Sequence, residues 1–240
     1  MALLEIDNLS KSFSGLRAVQ NVSFDVPEGE IVGLIGPNGA GKTTCFNLIA
    51  GVFKPDEGAV RFAGQRIDGS RPDQICRAGV GRTFQIVKPF AGLSVLENVI
   101  VGALNASRTV VEAREKSEDV IEKLGLWSKR DQAASALTLP ERKRLEVARA
   151  LATGPRILLL DEVMAGLRPT EMNTMVALFQ ELNAKTGLTI LLIEHVMRAV
   201  MTLSKKVVVL NYGKVIATGT PDEVTRDPAV LECYLGEEAL

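Results

Sequence analysis

Eight residues, Gly36-Pro37-Asn38-Gly39-Ala40-Gly41-Lys42-Thr43, limit the folds open to this chain more than any others. The run before them, Glu30-Ile31-Val32-Gly33-Leu34-Ile35, is short, apolar and rich in β-branched residues, which predicts a strand buried on both faces. The run after them, Lys42 to Ile49, reads as a helix. Glycines at 36, 39 and 41 let successive backbone N–H groups turn inward on a phosphate, and the helix presents its positive end to the same group. Lys42 then reaches the β- and γ-oxygens of a nucleotide, and the Thr43 hydroxyl is available to Mg²⁺. A strand, a glycine-rich turn and a helix in that order make a phosphate-gripping loop.

Two further apolar runs, Ile157 to Leu160 and Leu188 to Ile193, read as strands of the same buried kind. Helical stretches separate them, which predicts an α/β layer with a largely parallel sheet. Leu3 to Phe13 with Val22 to Val26, and Val207 to Thr218 around the turn Asn211-Tyr212-Gly213, look antiparallel, so a mixed sheet or a second β layer is expected. From about Phe90 to Ser135 the pattern becomes helical: Ser94 and Glu97 have capping-box spacing, and Thr109 to Leu124 is charged with helical apolar spacing. This reads as a helical lobe inserted into the core.

The strand Arg156 to Leu160 ends in Asp161-Glu162, and the strand Leu188 to Ile193 ends in Glu194-His195. In a parallel sheet both pairs emerge on the edge that carries the phosphate loop. Asp161 is then a candidate for the Mg²⁺ shell, and Glu162 a candidate general base for a water in line with the γ-phosphate. His195 is the only histidine. By type it is as easily structural, but its place at that edge favours a γ-phosphate contact.

The 240 residues carry 28 basic and 29 acidic side chains, which gives no electrostatic footprint for nucleic acid. With 46% hydrophobic residues the chain can bury a large core. Cys45, Cys76 and Cys233 are widely spaced, without zinc-site spacing, and fit a reducing compartment. Met1 to Lys11 contains Glu5, Asp7 and Lys11 and does not read as a secretory leader, and no apolar run is long enough to span a bilayer. Work at a membrane would need another chain as anchor.

The order of these motifs resembles an ABC ATPase: Gly36 to Thr44, Gln85 in Arg82-Thr83-Phe84-Gln85, the Leu137 to Ala150 segment, Asp161-Glu162, then His195. The resemblance implies a P-loop NTPase of ABC type, with a mixed β-sheet core, an N-terminal antiparallel β portion and an inserted α-helical lobe. The RecA-like core would cover about 1–88 and 152–240, and the lobe about 89–151. ATP would lie on Gly36, Pro37, Asn38, Gly39, Ala40, Gly41, Lys42, Thr43 and Thr44. Gln85 would touch Mg²⁺ and the attacking water, beside Thr43 and Asp161 as metal ligands. Phe13 would stack on adenine, the alternative being an edge-strand core aromatic. Glu162, His195 and Gln85 would carry the chemistry.

Arg82 to Gln85, Asp161 to Leu167, Ile193-Glu194-His195 and the tail from Gly219-Thr220-Pro221 to Tyr234-Leu235-Gly236 look like the branch that serves uptake of branched-chain and other hydrophobic amino acids. That implies permease subunits, a second ATPase subunit, indirectly a solute-binding protein, and a place at the cytoplasmic face of the membrane. A lipopolysaccharide-export ATPase, a soluble ABC ATPase and a binding-only regulator are the alternatives.

Two loops depart from the family pattern. The signature, usually Leu-Ser-Gly-Gly-Gln, reads Leu137-Thr138-Leu139-Pro140-Glu141, and the usual Ser-Ala-Leu-Asp reads Ala165-Gly166-Leu167-Arg168. Thr138 keeps a hydroxyl for the opposite subunit's γ-phosphate, while Pro140, expected as the first helical residue, has no N–H to give. Glu141 would bring a negative charge near that phosphate. A heterodimer is therefore expected, with one competent site on this chain's phosphate loop and one weakened site at Thr138; a homodimer is the alternative.

Overall fold

The computed structural model describes residues 1–85 and 88–235, so Gly236 of the tail lies outside the described residues. Alternation of apolar and polar residues at the start gives β1 (Ala2–Phe13) and β2 (Leu16–Pro27), paired as an antiparallel hairpin. β3 (Ile31–Ile35) follows and runs into the phosphate loop and α1 (Lys42–Ile49). Next come β4 (Glu57–Phe62), β5 (Gln65–Arg66), α2 (Pro72–Ala78) and β6 (Val80–Arg82). The segment before the next strand holds α3 (Val95–Ala103), α4 (Val110–Lys123) and α5 (Leu139–Leu151), joined by short 3₁₀ turns. β7 (Ile157–Asp161), α6 (Pro169–Thr186), β8 (Thr189–Ile193) and α7 (Met197–Leu203) return to the α/β pattern. The hairpin β9 (Lys206–Asn211) and β10 (Lys214–Gly219), with α8 (Pro221–Val224) and α9 (Pro228–Leu235), completes the described chain.

Two sheets result. One is antiparallel, in the order β2-β1-β4-β5; the other runs β10-β9-β3-β8-β7-β6. In the second, β9, β3, β8, β7 and β6 are parallel and β10 is antiparallel at one edge. The expected mixed sheet and the expected second β layer are thus both present. Every residue of β3, β7 and β8 is buried, as their near-continuous apolar composition requires. The sheet separates two cores, one containing Val32, Leu34, Phe46 and Leu159 beneath the antiparallel layer, the other containing Ile31, Leu158, Leu160 and Phe179 beneath the helices.

The expected cap at Ser94 is in place, and α4 has a side-chain cap of its own at Thr109. Ser94 Oγ accepts from the Glu97 N–H at 3.2 Å while the Ser94 N–H donates to Glu97 Oε2 at 2.7 Å, and Thr109 Oγ1 accepts from the Glu112 N–H at 3.1 Å. Several boundaries differ: β2 begins at Leu16 rather than Val22, β7 continues through Asp161, β8 begins at Thr189, and α5 begins at Leu139, so Pro140 is its second residue. A proline in the first turn still costs no helical hydrogen bond, because the N–H groups there have no partner inside the helix.

Candidate active site

The parallel order of β3, β8 and β7 brings the C-terminal ends of three strands side by side. From them emerge the phosphate loop, His195 and Glu162. The turn of the β1–β2 hairpin closes the same cleft from the antiparallel sheet, so that Phe13 stands opposite the loop. The cleft has a volume of about 810 Å³ and is lined by Phe13, Asn38, Gly39, Ala40, Gly41, Lys42, Thr43, Thr44, Gln85, Glu162 and His195. Gly15, Leu16, Arg17, Ala18, Gln20 and Tyr212 complete the lining. These six are invisible to local pattern reading, because only the docking of two hairpin turns onto the phosphate loop puts them there.

The glycine requirement is steric as well as conformational. A Cβ on Gly36 would lie 2.0 Å from the Leu210 carbonyl oxygen, and one on Gly41, where φ is +102°, would lie 2.4 Å from that of Ala18. The loop is therefore packed between β9 and β2. Gly36 and Pro37 lie beneath the cleft, where their carbonyls accept hydrogen bonds from Lys42 Nζ at 2.6 and 2.8 Å. The Lys42 ammonium is thus held at the loop by carbonyls that a nucleotide's phosphates can replace.

Glu162 stands at the centre of the polar groups. Gln85 Nε2 donates to its Oε2 at 2.6 Å, and His195 Nε2 lies 2.8 Å from its Oε1. Its backbone has φ of +50°, in the left-handed region that few non-glycine residues adopt. Asp161 lies behind it, 1% exposed, with Arg82 Nη2 at 3.2 Å from Oδ2. Burial pushes the Asp161 carboxyl above its ordinary range, and the Arg82 guanidinium pulls it partly back. Its Oδ1 is buried without a hydrogen-bond partner. An orphaned carboxylate oxygen fits a hard divalent cation that keeps water and phosphate oxygens among its ligands, although Asp161 is not among the residues that line the cleft with Thr43 and Gln85.

Phe13 is 37% exposed and is braced edge-on by Phe53, ring centroids 5.1 Å apart. Lys11 Nζ also lies over its ring, 5.6 Å from the centroid, and the side chain is among those that line the cleft. Thr138 is not among the residues lining this chain's cleft. Its N–H and Oγ1 both donate to Glu141 Oε2 at 2.8 Å, which holds the Glu141 carboxyl below its usual range. The hydroxyl expected to await a phosphate is engaged inside its own loop, and the Glu141 charge is spent on capping α5.

Comparison with known proteins agrees with this geometry. Residues 19–165 match the ABC transporter family, and residues 214–239 match the family of branched-chain amino acid ATP-binding cassette transporters. The chain belongs to the ABC transporter ATP-binding family. It is an ATP-binding cassette and an ATPase. It is 41% identical to the high-affinity branched-chain amino acid transport ATP-binding protein LivG of Salmonella typhimurium over 98% of both chains. It is 40% identical to BraF of Pseudomonas aeruginosa, with the same name and coverage, and 36% identical to the lipopolysaccharide export ATP-binding protein LptB of Haemophilus influenzae over 99% of both. A nucleotide-free ATP-binding cassette from an ABC transporter superposes with a TM-score of 0.89 at 33% identity, covering 98% of this chain and 99% of that one.

Proposed function

We propose that this chain is the ATP-hydrolysing subunit of an importer for branched-chain or other hydrophobic amino acids, held at the cytoplasmic face of a membrane by permease subunits. The observation that carries the hydrolytic part is Glu162, set between Gln85 and His195 at the mouth of the phosphate loop. The solute class rests on the full-length likeness to LivG and BraF and on the C-terminal match. The likeness to LptB is weaker over the same span, which ranks lipopolysaccharide export second.

In this reading Phe13 stacks on adenine, the N–H groups of residues 38 to 44 surround the β-phosphate, and Lys42 exchanges the Gly36 and Pro37 carbonyls for phosphate oxygens. Thr43, Gln85 and Asp161 would hold Mg²⁺, which would neutralise phosphate charge. Glu162 accepts the proton of the attacking water, and His195 holds the γ-phosphate side of the site. Gln85 donates to Glu162 at 2.6 Å and would have to release that carboxylate oxygen for a water to reach it.

Phe84, next to Gln85, is 57% exposed over a shallow apolar groove that also includes Val52, Ile75, Cys76, Val101 and the stem of Arg149. No helix among the described residues is long and apolar enough to cross a membrane. A permease segment seated in this groove would sense Gln85 directly through the chain. We further propose that the second ATPase subunit is a different chain with an intact signature, because Thr138 is already bonded to Glu141 and Pro140 has no N–H to donate.

Reconstitution with permease and binding protein in vesicles tests the whole reading. Glu162→Gln should lower ATP hydrolysis and leucine uptake by about 10²-fold or more, the usual worth of a positioned general base, with ATP affinity unchanged. Uptake that survives in Glu162→Gln would remove the chemical assignment, and lipid A-linked sugar transport in place of leucine uptake would favour the export reading.

A further inference from the structure

Lys143 is an unusual residue for the interior of an amphipathic helix. It sits on α5, five residues after Thr138, and is only 5% exposed. Buried lysines are rare unless something holds them. Here Nζ donates to the main-chain carbonyl oxygen of Glu162 at 3.0 Å. The carboxylates of Glu194, Glu162, Glu146 and Asp161 favour its charge against the burial that lowers its pKa.

The partner peptide is itself unusual. Glu162 is the residue with φ of +50°, so its carbonyl and side chain leave the chain in directions that a regular strand end would not allow. Three contacts from other elements hold that turn, beside the Ala165 N–H, which donates to the Glu162 carbonyl at 3.3 Å within it. The Glu162 N–H donates to the Ile193 carbonyl at 2.9 Å, Lys143 takes the Glu162 carbonyl, and the Met164 N–H donates to Oε1 of Glu194, a carboxyl only 2% exposed. Two of the three are buried ionisable side chains, one from α5 and one from the end of β8.

We propose that Lys143, with Glu194, is a positioning residue for Glu162. By fixing the 162–164 turn from both sides, the two side chains hold the Glu162 carboxylate between Gln85 and His195. Neither touches the nucleotide cleft, whose lining includes neither residue. The arrangement also ties the helix that begins at Thr138 to the base of this chain's own site, so a shift of α5 is felt first at the Glu162 carbonyl. This inference rests on the assignment of Glu162 as general base, and Glu162→Gln alone tests that assignment.

The full chain, assembled with its partner subunits, is compared as wild type, Lys143→Met and Lys143→Arg by steady-state ATP hydrolysis and by binding of a fluorescent ATP analogue. Lys143→Met should lower kcat by roughly 10- to 100-fold, the scale expected for misplacing a catalytic group by a fraction of an ångström to one ångström, while KM and nucleotide affinity stay within about twofold. Lys143→Arg keeps a cationic donor and should recover most of the loss. A general packing role would instead lower affinity and kcat together, with no recovery by arginine, and that result would overturn the proposal; so would a kcat for Lys143→Met within about twofold of wild type. Should Lys143→Met fail to fold, Lys143→Met/Glu194→Gln removes both buried charges. The same loss of kcat with intact affinity is expected, and full turnover in that double variant would refute the role.

Discussion

The fold moves the titration of the Glu194 carboxyl into the neutral pH range. Burial pushes its carboxyl from 4.5 up to about 7, against the Met164 N–H and the Lys143 charge, which pull it down. A carboxyl whose folded pKa is raised binds its proton more tightly in the folded chain than in the unfolded one. Its stabilising contribution is complete below about 4.5 and is lost as the pH rises through about 7. Glu146 and Asp161, raised by the same cause, act in the same sense. Glu194→Gln should therefore gain thermal stability relative to wild type as the pH is taken from 5 to 8, with the two Tm values nearest at pH 5. A Tm difference that stays constant across this interval would mean that Glu194 is not held partly protonated by the fold.

At the level of elements, the joint between the Gln85 segment and the helical lobe depends on one side chain. Asn98 on α3 is fully buried; its Oδ1 accepts from the Phe90 N–H at 2.9 Å, and its Nδ2 donates to the carbonyls of Phe90, Leu93 and Ser94. Its amide ties residues 90 to 94 to the start of α3, beside the turn bond from the Leu93 N–H to the Phe90 carbonyl at 3.0 Å. Asn98→Ala should cost about 1–3 kcal/mol in urea unfolding, since it leaves the Phe90 N–H without its acceptor, while the Phe90, Leu93 and Ser94 carbonyls keep the N–H groups of Leu93, Ala134 and residue 98 as donors. A loss under about 0.5 kcal/mol would show that water satisfies these groups as well as the amide does. The same region shows what local pattern can reveal. Ser94 with Glu97 and Thr109 with Glu112 mark their helices because a cap is read over four residues, and Thr138 with Glu141 has the same spacing. Lys143 and Glu194 left no comparable trace, because their partners lie in other elements, and Asn98 left none because its partners lie in an irregular loop and cap rather than at a regular spacing. β4 and β6 escaped for a different reason: Glu57, Gly58 and Arg61 dilute one strand, and the other has only three residues.

At the scale of the whole molecule, the phosphate loop, Glu162 and His195 were legible because each ends a buried strand of one parallel sheet, and the sheet order does the rest. Phe13, Leu16, Arg17 and Tyr212 depend on how the second sheet docks, which no periodicity encodes. The cleft they form draws nothing from Thr138, and under the proposed pairing the second ATPase subunit would cover bound ATP opposite Lys42. If that chain carries an intact signature, the two composite sites of the pair are unequal: one joins this chain's Lys42 and Glu162 to the partner's signature, and the other joins the partner's phosphate loop to Thr138. Lys42→Ala removes the charge that replaces the Gly36 and Pro37 carbonyls with phosphate, and should reduce turnover of the reconstituted pair by about 10²-fold or more. Thr138→Ala removes a hydroxyl that already donates to Glu141, and turnover should change by less than about threefold, because no phosphate contact made by it is lost. ATP hydrolysis by the purified pair checks both variants in one assay. Equal losses would mean that Thr138 leaves Glu141 for phosphate when the pair closes, and that both sites fire.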